Sequence, residues 1–95
     1  MIKVLIKRRI KKGKKEEYNN ALGDVKADLK EFPGFLSGEV MVGLEDSFNI
    51  LVIATWQSKK DWMAWLESTA RAKLLNRLED ILESHEEVEC YLPQT

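Results

Sequence analysis

The chain has 95 residues, enough for one domain and one core, with Lys plus Arg at 15 against Asp plus Glu at 16 and a formal net charge of −1. That balance excludes the broad basic excess of a dedicated nucleic-acid binder, and no apolar run approaches the roughly 18 residues of a membrane helix. A domain this small is marginal alone, so association with a second copy is expected to help it.

The charge is unevenly placed. Lys3 to Lys15 carries eight basic residues and no acidic one, and Glu79 to Glu89 carries six acidic residues and no Lys or Arg. The two segments attract each other if they lie side by side in one sheet. A solvated strand face is the simplest reading of the basic stretch. Phosphate or nucleic-acid binding through it is the weaker one, because no aromatic residues interleave with the charges; strong salt dependence would be its signature. The single cysteine, Cys90, makes no internal disulfide, fits a reducing cytoplasm, and reads as a small apolar strand residue. The N-terminal MIKVLIKRRIKK mixes charges into its apolar positions, unlike the uninterrupted centre of a signal peptide.

In chain order, Ile2, Val4, Ile6 and Ile10 recur with period two, broken only at Arg8, and mark a half-buried first strand. Lys11-Lys12-Gly13 turns the chain into a helix over about Lys14 to Glu31, with Tyr18, Ala21, Leu22, Val25, Leu29 and Phe32 in one apolar stripe. Phe32-Pro33-Gly34 stops it, since the residue before proline is pushed out of helical geometry. Phe35 to Leu44 reads as the second strand, with bulges or close backbone approach expected at Gly38 and Gly43. The polar turn Glu45-Asp46-Ser47 makes it a hairpin with the third strand, Asn49 to Trp56. Ile50 to Ile53 is continuously apolar there, so that strand is expected to be covered on both faces.

Ser58 caps a short helix from Lys59 to about Glu67 that carries Trp62 and Trp65, with Asp61 in the capping-box position. Ser68-Thr69 restarts the helix to about Ser84, with Arg71, Leu74, Leu75, Leu78, Ile81 and Leu82 at helical spacing. A last strand, Glu87 to Leu92, ends at Pro93. The order βαββαβ, with the helix after strand three broken in two, is the ferredoxin-like α+β arrangement with a four-stranded antiparallel sheet over residues 1–95. Helices on one side cover one face only, and Leu5, Phe35 and Met41 fall on the second faces of the first two strands. A homodimer packed sheet to sheet is therefore expected.

Two stretches carry a family resemblance: F-P-G-F-L-S-G-E at Phe32 to Glu39, and A-T-W-Q-S-K-K-D-W-M-A-W-L-E-S at Ala54 to Ser68. They resemble the antibiotic biosynthesis monooxygenase (ABM) family of small dimeric α+β barrels, over nearly the whole chain. The resemblance implies one of three things: a cofactor-free oxygenase of polycyclic aromatic substrates, a haem-degrading monooxygenase, or a non-enzymatic dimeric module of the same fold. The haem branch would need an Asn on strand one and a His on the second long helix, besides a Trp that Trp56 supplies. Ile6-Lys7-Arg8 holds no Asn and Thr69 to Glu83 no His, which counts against haem. The cofactor-free oxygenase needs an apolar pocket for an electron-rich aromatic or quinone-like molecule. Trp56, Trp62, Trp65, Phe35 and Tyr18 are the candidate lining, and His85, the only histidine, the candidate base. The plain alternatives are core packing for the tryptophans and a solvated loop for His85. His85 has no Cys or His neighbour at ligand spacing, so no metal site is expected.

Overall fold

A computed structural model describes residues 1–94. Its elements are β1 (Ile2–Arg9), α1 (Lys15–Lys30), β2 (Phe35–Val42), β3 (Asn49–Trp56), α2 (Lys59–Leu66), α3 (Thr69–Ile81) and β4 (Glu87–Tyr91). The four strands form one antiparallel sheet in the order β2-β3-β1-β4. This is the βαββαβ ferredoxin-like fold.

Alternation decides what each sheet face carries. On the helix-covered face, Ile2, Val4, Ile6 and Arg8 of β1 stand opposite Trp56, Ala54, Val52 and Ile50 of β3. With Tyr18, Ala21 and Val25 of α1, Trp62 and Trp65 of α2, and Leu74, Leu78 and Ile81 of α3, the apolar members of this set build the core. Val4 and Trp56 are its most enclosed sheet residues, at 0% and 1% exposure. On the opposite face Leu5, Leu51 and Ile53 are half-buried and Met41 is exposed, with no element lying over them.

β1 and β4 do bring the two charged segments together. Lys7 stands opposite Glu87, and Arg9 Nε reaches Glu83 at 2.6 Å. Other expectations shift by a few residues. The bulge in β2 falls between Phe35 and Ser37 rather than at Gly38, and it carries Phe35, expected on the uncovered face, to the helix-covered face opposite Trp56. Gly43 is a point of close approach, since a Cβ there would lie 2.5 Å from the Asp46 carbonyl oxygen. α3 stops at Ile81 rather than Ser84. The chain there is drawn into extended backbone: Leu82 bridges Ile10, Lys11 N donates to Ile81 O at 2.8 Å, and Glu83 N to Arg9 O at 2.9 Å. Forming a second short ladder outweighs one more helical turn. β2 ends at Val42, and Leu44 beyond it is fully exposed.

The caps follow the sequence. Ser58 Oγ accepts from Asp61 N at 3.2 Å and donates to Asp61 Oδ2 at 2.9 Å, so the Asp closes the box on the hydroxyl. Ser68 Oγ accepts from Arg71 N at 3.1 Å and donates to Trp65 O, closing one helix while opening the next. Gly34 has φ +86°, and a Cβ there would overlap the Asp61 side chain held by Ser58. Gly34→Ala is therefore expected to destabilise by about 1–3 kcal/mol through backbone strain plus displacement of the α2 cap. Chemical denaturation of the variant checks this.

Candidate functional site

The tryptophans meet at one end of the sheet. Trp56 ends β3 opposite Ile2 and Phe35. Its ring lies 5.3 Å from Phe35, 5.8 Å from Trp62, 6.0 Å from Phe32 and 6.2 Å from Trp65, centroid to centroid. The two phenylalanine contacts are edge-on, an arrangement favoured by ring quadrupoles. α2 delivers Trp62 and Trp65 because i and i+3 share a helix face. The cluster is packed, with Trp62 and Trp65 each 3% exposed. It is also polar at one point: the buried Trp56 Nε1 has no hydrogen-bond partner. An unpaired buried donor is costly, and native structures rarely leave one without a reason.

Beside this cluster the sheet is open. α1 and α3 lie over the middle strands and leave the inner face of the β2 edge uncovered. Val40 and Val42 are 41% and 63% exposed there. Val52, opposite Val40, is half-buried, as is Phe35. The result is an apolar strip along β2 that ends at Phe35 and Trp56.

Tyr18 is not in this group. It is buried at the far end of the sheet, where its hydroxyl accepts from Arg8 Nη1 at 3.0 Å. Trp56 stands opposite Ile2 and Arg8 stands six residues on, so the two ends are about 20 Å apart. His85 also lies at that far end, exposed, in the loop between α3 and β4. Trp56, Trp62, Trp65 and Phe35 thus form one group, and Tyr18 and His85 belong to another.

At the far end the structure holds a buried ionic network that hydrophobic patterning does not announce. Arg8 Nε donates to Glu86 Oε2 at 2.7 Å, and Arg71 Nη2 donates to Glu86 Oε1. The side chains of Arg8, Arg71 and Glu86 are 3%, 5% and 8% exposed. Arg71 Nε, also buried, has no partner. The signal in the sequence was two breaks in apolar pattern: Arg8 at an inward position of β1, and Arg71 on the buried stripe of α3. Nothing local pointed to Glu86 as the partner of both.

Burial works against ionising Glu86, but the charges of Arg8 and Arg71 and the hydrogen bonds from both outweigh it. The carboxyl is held below the usual carboxylate range. Arg8 loses stabilisation by burial too, yet Tyr18 and Glu86 more than restore it and its pKa is raised. For Arg71 burial dominates; Glu86 offsets it only in part and Arg8 repels it, so its pKa is lowered. Because Glu86 is depressed relative to the unfolded chain, near 4.3, its contribution to stability is fully present above that value. It is lost as pH falls through the folded pKa. The melting temperature is therefore expected to hold from neutral pH to about 5 and fall below it. Calorimetry across that range checks the shape. Glu86→Gln should remove part of the acid limb and leave the part due to Asp46, whose carboxyl is lowered by the Phe48 N–H and by Arg9.

The family model described as antibiotic biosynthesis monooxygenase matches residues 1–77. The chain belongs to that family. No curated protein matches it. Among solved structures, a conserved protein from Methanosarcina mazei Go1 superposes with TM-score 0.92 at 18% identity, over 98% of this chain and 92% of that one. SnoaB, a cofactor-independent oxygenase from Streptomyces nogalater, gives 0.87 at 13% identity over 99% and 93%. Rv0793 from Mycobacterium tuberculosis gives 0.89 at 10% identity over 99% and 93%. At such identities these likenesses establish a shared fold.

The haem branch of the resemblance finds no fit among these side chains. α3 carries no His, and Arg8 on β1 is committed to Glu86 and Tyr18. The tryptophan cluster is filled. Among the described residues no three His, Cys, Asp or Glu side chains group as metal ligands, and no helix is long and apolar enough to cross a membrane.

Proposed function

We propose that the chain is a monooxygenase of the ABM type that acts without a tightly bound cofactor on an aromatic or quinone-like small molecule. The observation that carries the reading is the buried indole N–H of Trp56, which has no hydrogen-bond partner, in an aromatic cluster next to the apolar β2 edge. An aromatic substrate lying along Val40, Val52 and Phe35 would present an oxygen to that N–H. The family supports the reaction type, and SnoaB is an oxygenase on the same fold.

In such chemistry the protein supplies enclosure and one hydrogen bond, and the substrate supplies the electrons. For an anthrone, loss of a ring proton to water gives an electron-rich carbanion that transfers electrons to O2, and that proton is taken up again when the second oxygen atom leaves as water. One oxygen atom ends as the new quinone carbonyl and the other leaves as water, so anthrone plus O2 balances anthraquinone plus water. Trp56 Nε1–H would stabilise the developing oxyanion. His85 stands at the other end of the sheet and so takes no part at the strip.

The filled tryptophan cluster favours a second reading, a non-enzymatic ligand-binding module. Oxygen consumption with an anthrone separates the two. Turnover above the spontaneous rate, reduced at least tenfold in Trp56→Phe, supports the oxygenase. Saturable anthrone binding without oxygen uptake supports the module.

The working unit proposed is a homodimer. Leu5, Leu51, Ile53 and Met41 form the centre of the bare sheet face, and Lys3, Lys7 and Arg9 on β1 lie beside Glu87 and Glu89 on β4. A two-fold partner would bury the apolar centre and can match the charges across the rim. Ile53→Asp is expected to convert a dimer mass in light scattering to a monomer mass. A monomer mass for the unaltered protein at micromolar concentration would sink the idea.

A further inference from the structure

A cleft of about 830 Å³ runs between α3 and the β4 edge, remote from the tryptophan end. α3 lines it with Arg71, Leu75 and Leu78 at i, i+4 and i+7, and Val88 of β4 lines it too, with Lys11 and His85 among its exposed residues. Its size falls within the roughly 300–1,000 Å³ of sites that hold small organic ligands.

Two features of its inner end point to the charge of a ligand. Arg71 is 4% exposed, and its Nε is a buried donor without a partner. Arg8 and Arg71 also face a single carboxylate, Glu86, so the network carries a net charge of +1. The remaining acids of the cleft do not cancel that excess at depth. Glu83 is bonded to Arg9, and Glu79 is exposed. Leu75 and Val88, 42% and 39% exposed, offer apolar surface leading away from the charge.

We propose that this cleft binds a small organic anion, an aromatic or aliphatic acid. The acid group takes the Nε–H of Arg71, and the apolar body lies on Leu75 and Val88. An acceptor at Nε satisfies the orphan donor and balances the network in one step, which a neutral molecule of the same shape does not do. The inference is independent of the oxygenase reading, because its residues and the Trp56 strip share none.

The test uses two probes with one aromatic body: 8-anilinonaphthalene-1-sulfonate, and N-phenyl-1-naphthylamine, which lacks the sulfonate. The expected result is saturable binding of one sulfonate per chain, at least tenfold tighter than the amine. The Nε–Hε resonance of Arg71 should shift along the same saturation curve. Leu75→Glu, at a half-open position that tolerates substitution, should weaken the sulfonate at least tenfold without lowering the melting temperature. Equal affinity for the two probes, an unmoved Arg71 resonance, or unchanged sulfonate binding in Leu75→Glu would each overturn the proposal.

Discussion

Replacing Glu86 by Gln is expected to cost about 3–5 kcal/mol at neutral pH, the range seen when one partner is removed from a buried ion pair. The substitution keeps the shape of the side chain and removes only its charge. Arg8 and Arg71 are then left as two buried cations with no anion between them. The ion pair of Arg9 with Glu83 serves as the control, since both side chains are more than 40% exposed. Glu83→Gln should cost no more than about 1 kcal/mol, because water solvates both partners and screens their attraction. Urea denaturation of both variants checks the contrast. A loss below 1 kcal/mol for Glu86→Gln would mean the arginines re-solvate on losing it. Replacing all three charged residues together by apolar ones of similar size is a different experiment, expected to be far milder than the single change. The network then specifies where the α3–β4 loop sits against β1 more than it adds net stability.

Trp56→Ala is expected to destabilise by about 3–5 kcal/mol, the usual cost of emptying a large aromatic site in a packed core. The ring touches Phe32, Phe35, Trp62 and Trp65, so truncation leaves a void bounded by β2, α2 and the loop before β2. Trp56→Phe discriminates packing from function. It keeps an aromatic ring and deletes the unpartnered N–H, and removing a buried orphan donor returns about 1–3 kcal/mol of its desolvation cost. Its stability loss should therefore be less than half that of the alanine variant. If the N–H serves a substrate, Trp56→Phe will lose turnover while remaining folded. Thermal melts beside oxygen-uptake assays on both variants give the two readouts separately.

Much of this molecule is legible along the chain because its signals are local. The run from Asn49 to Trp56 begins and ends β3 as its composition suggests. Ser58 and Ser68 cap α2 and α3 through bonds only three residues long. Helical spacing brought Trp62 and Trp65 to one face, and the oppositely charged first and last strands lie side by side. The ABM resemblance of Phe32 to Glu39 and Ala54 to Ser68 rests on such local patterns.

What only the tertiary structure decided depends on residues far apart in sequence. Arg8 and Glu86 are separated by 78 positions, and no periodicity links them. A buried cation can be recognised in a strand pattern, but its anion is chosen by where the chain returns. Tyr18 and Trp56 share the apolar face of one core, yet sheet register puts them at opposite ends of it. The end of α3 at Ile81 is set by Ile10, which recruits Leu82 into a bridge against helical preference. Periodicity assigns a side chain to a face. Position along that face, and therefore which groups can act together, is fixed by strand register and helix placement.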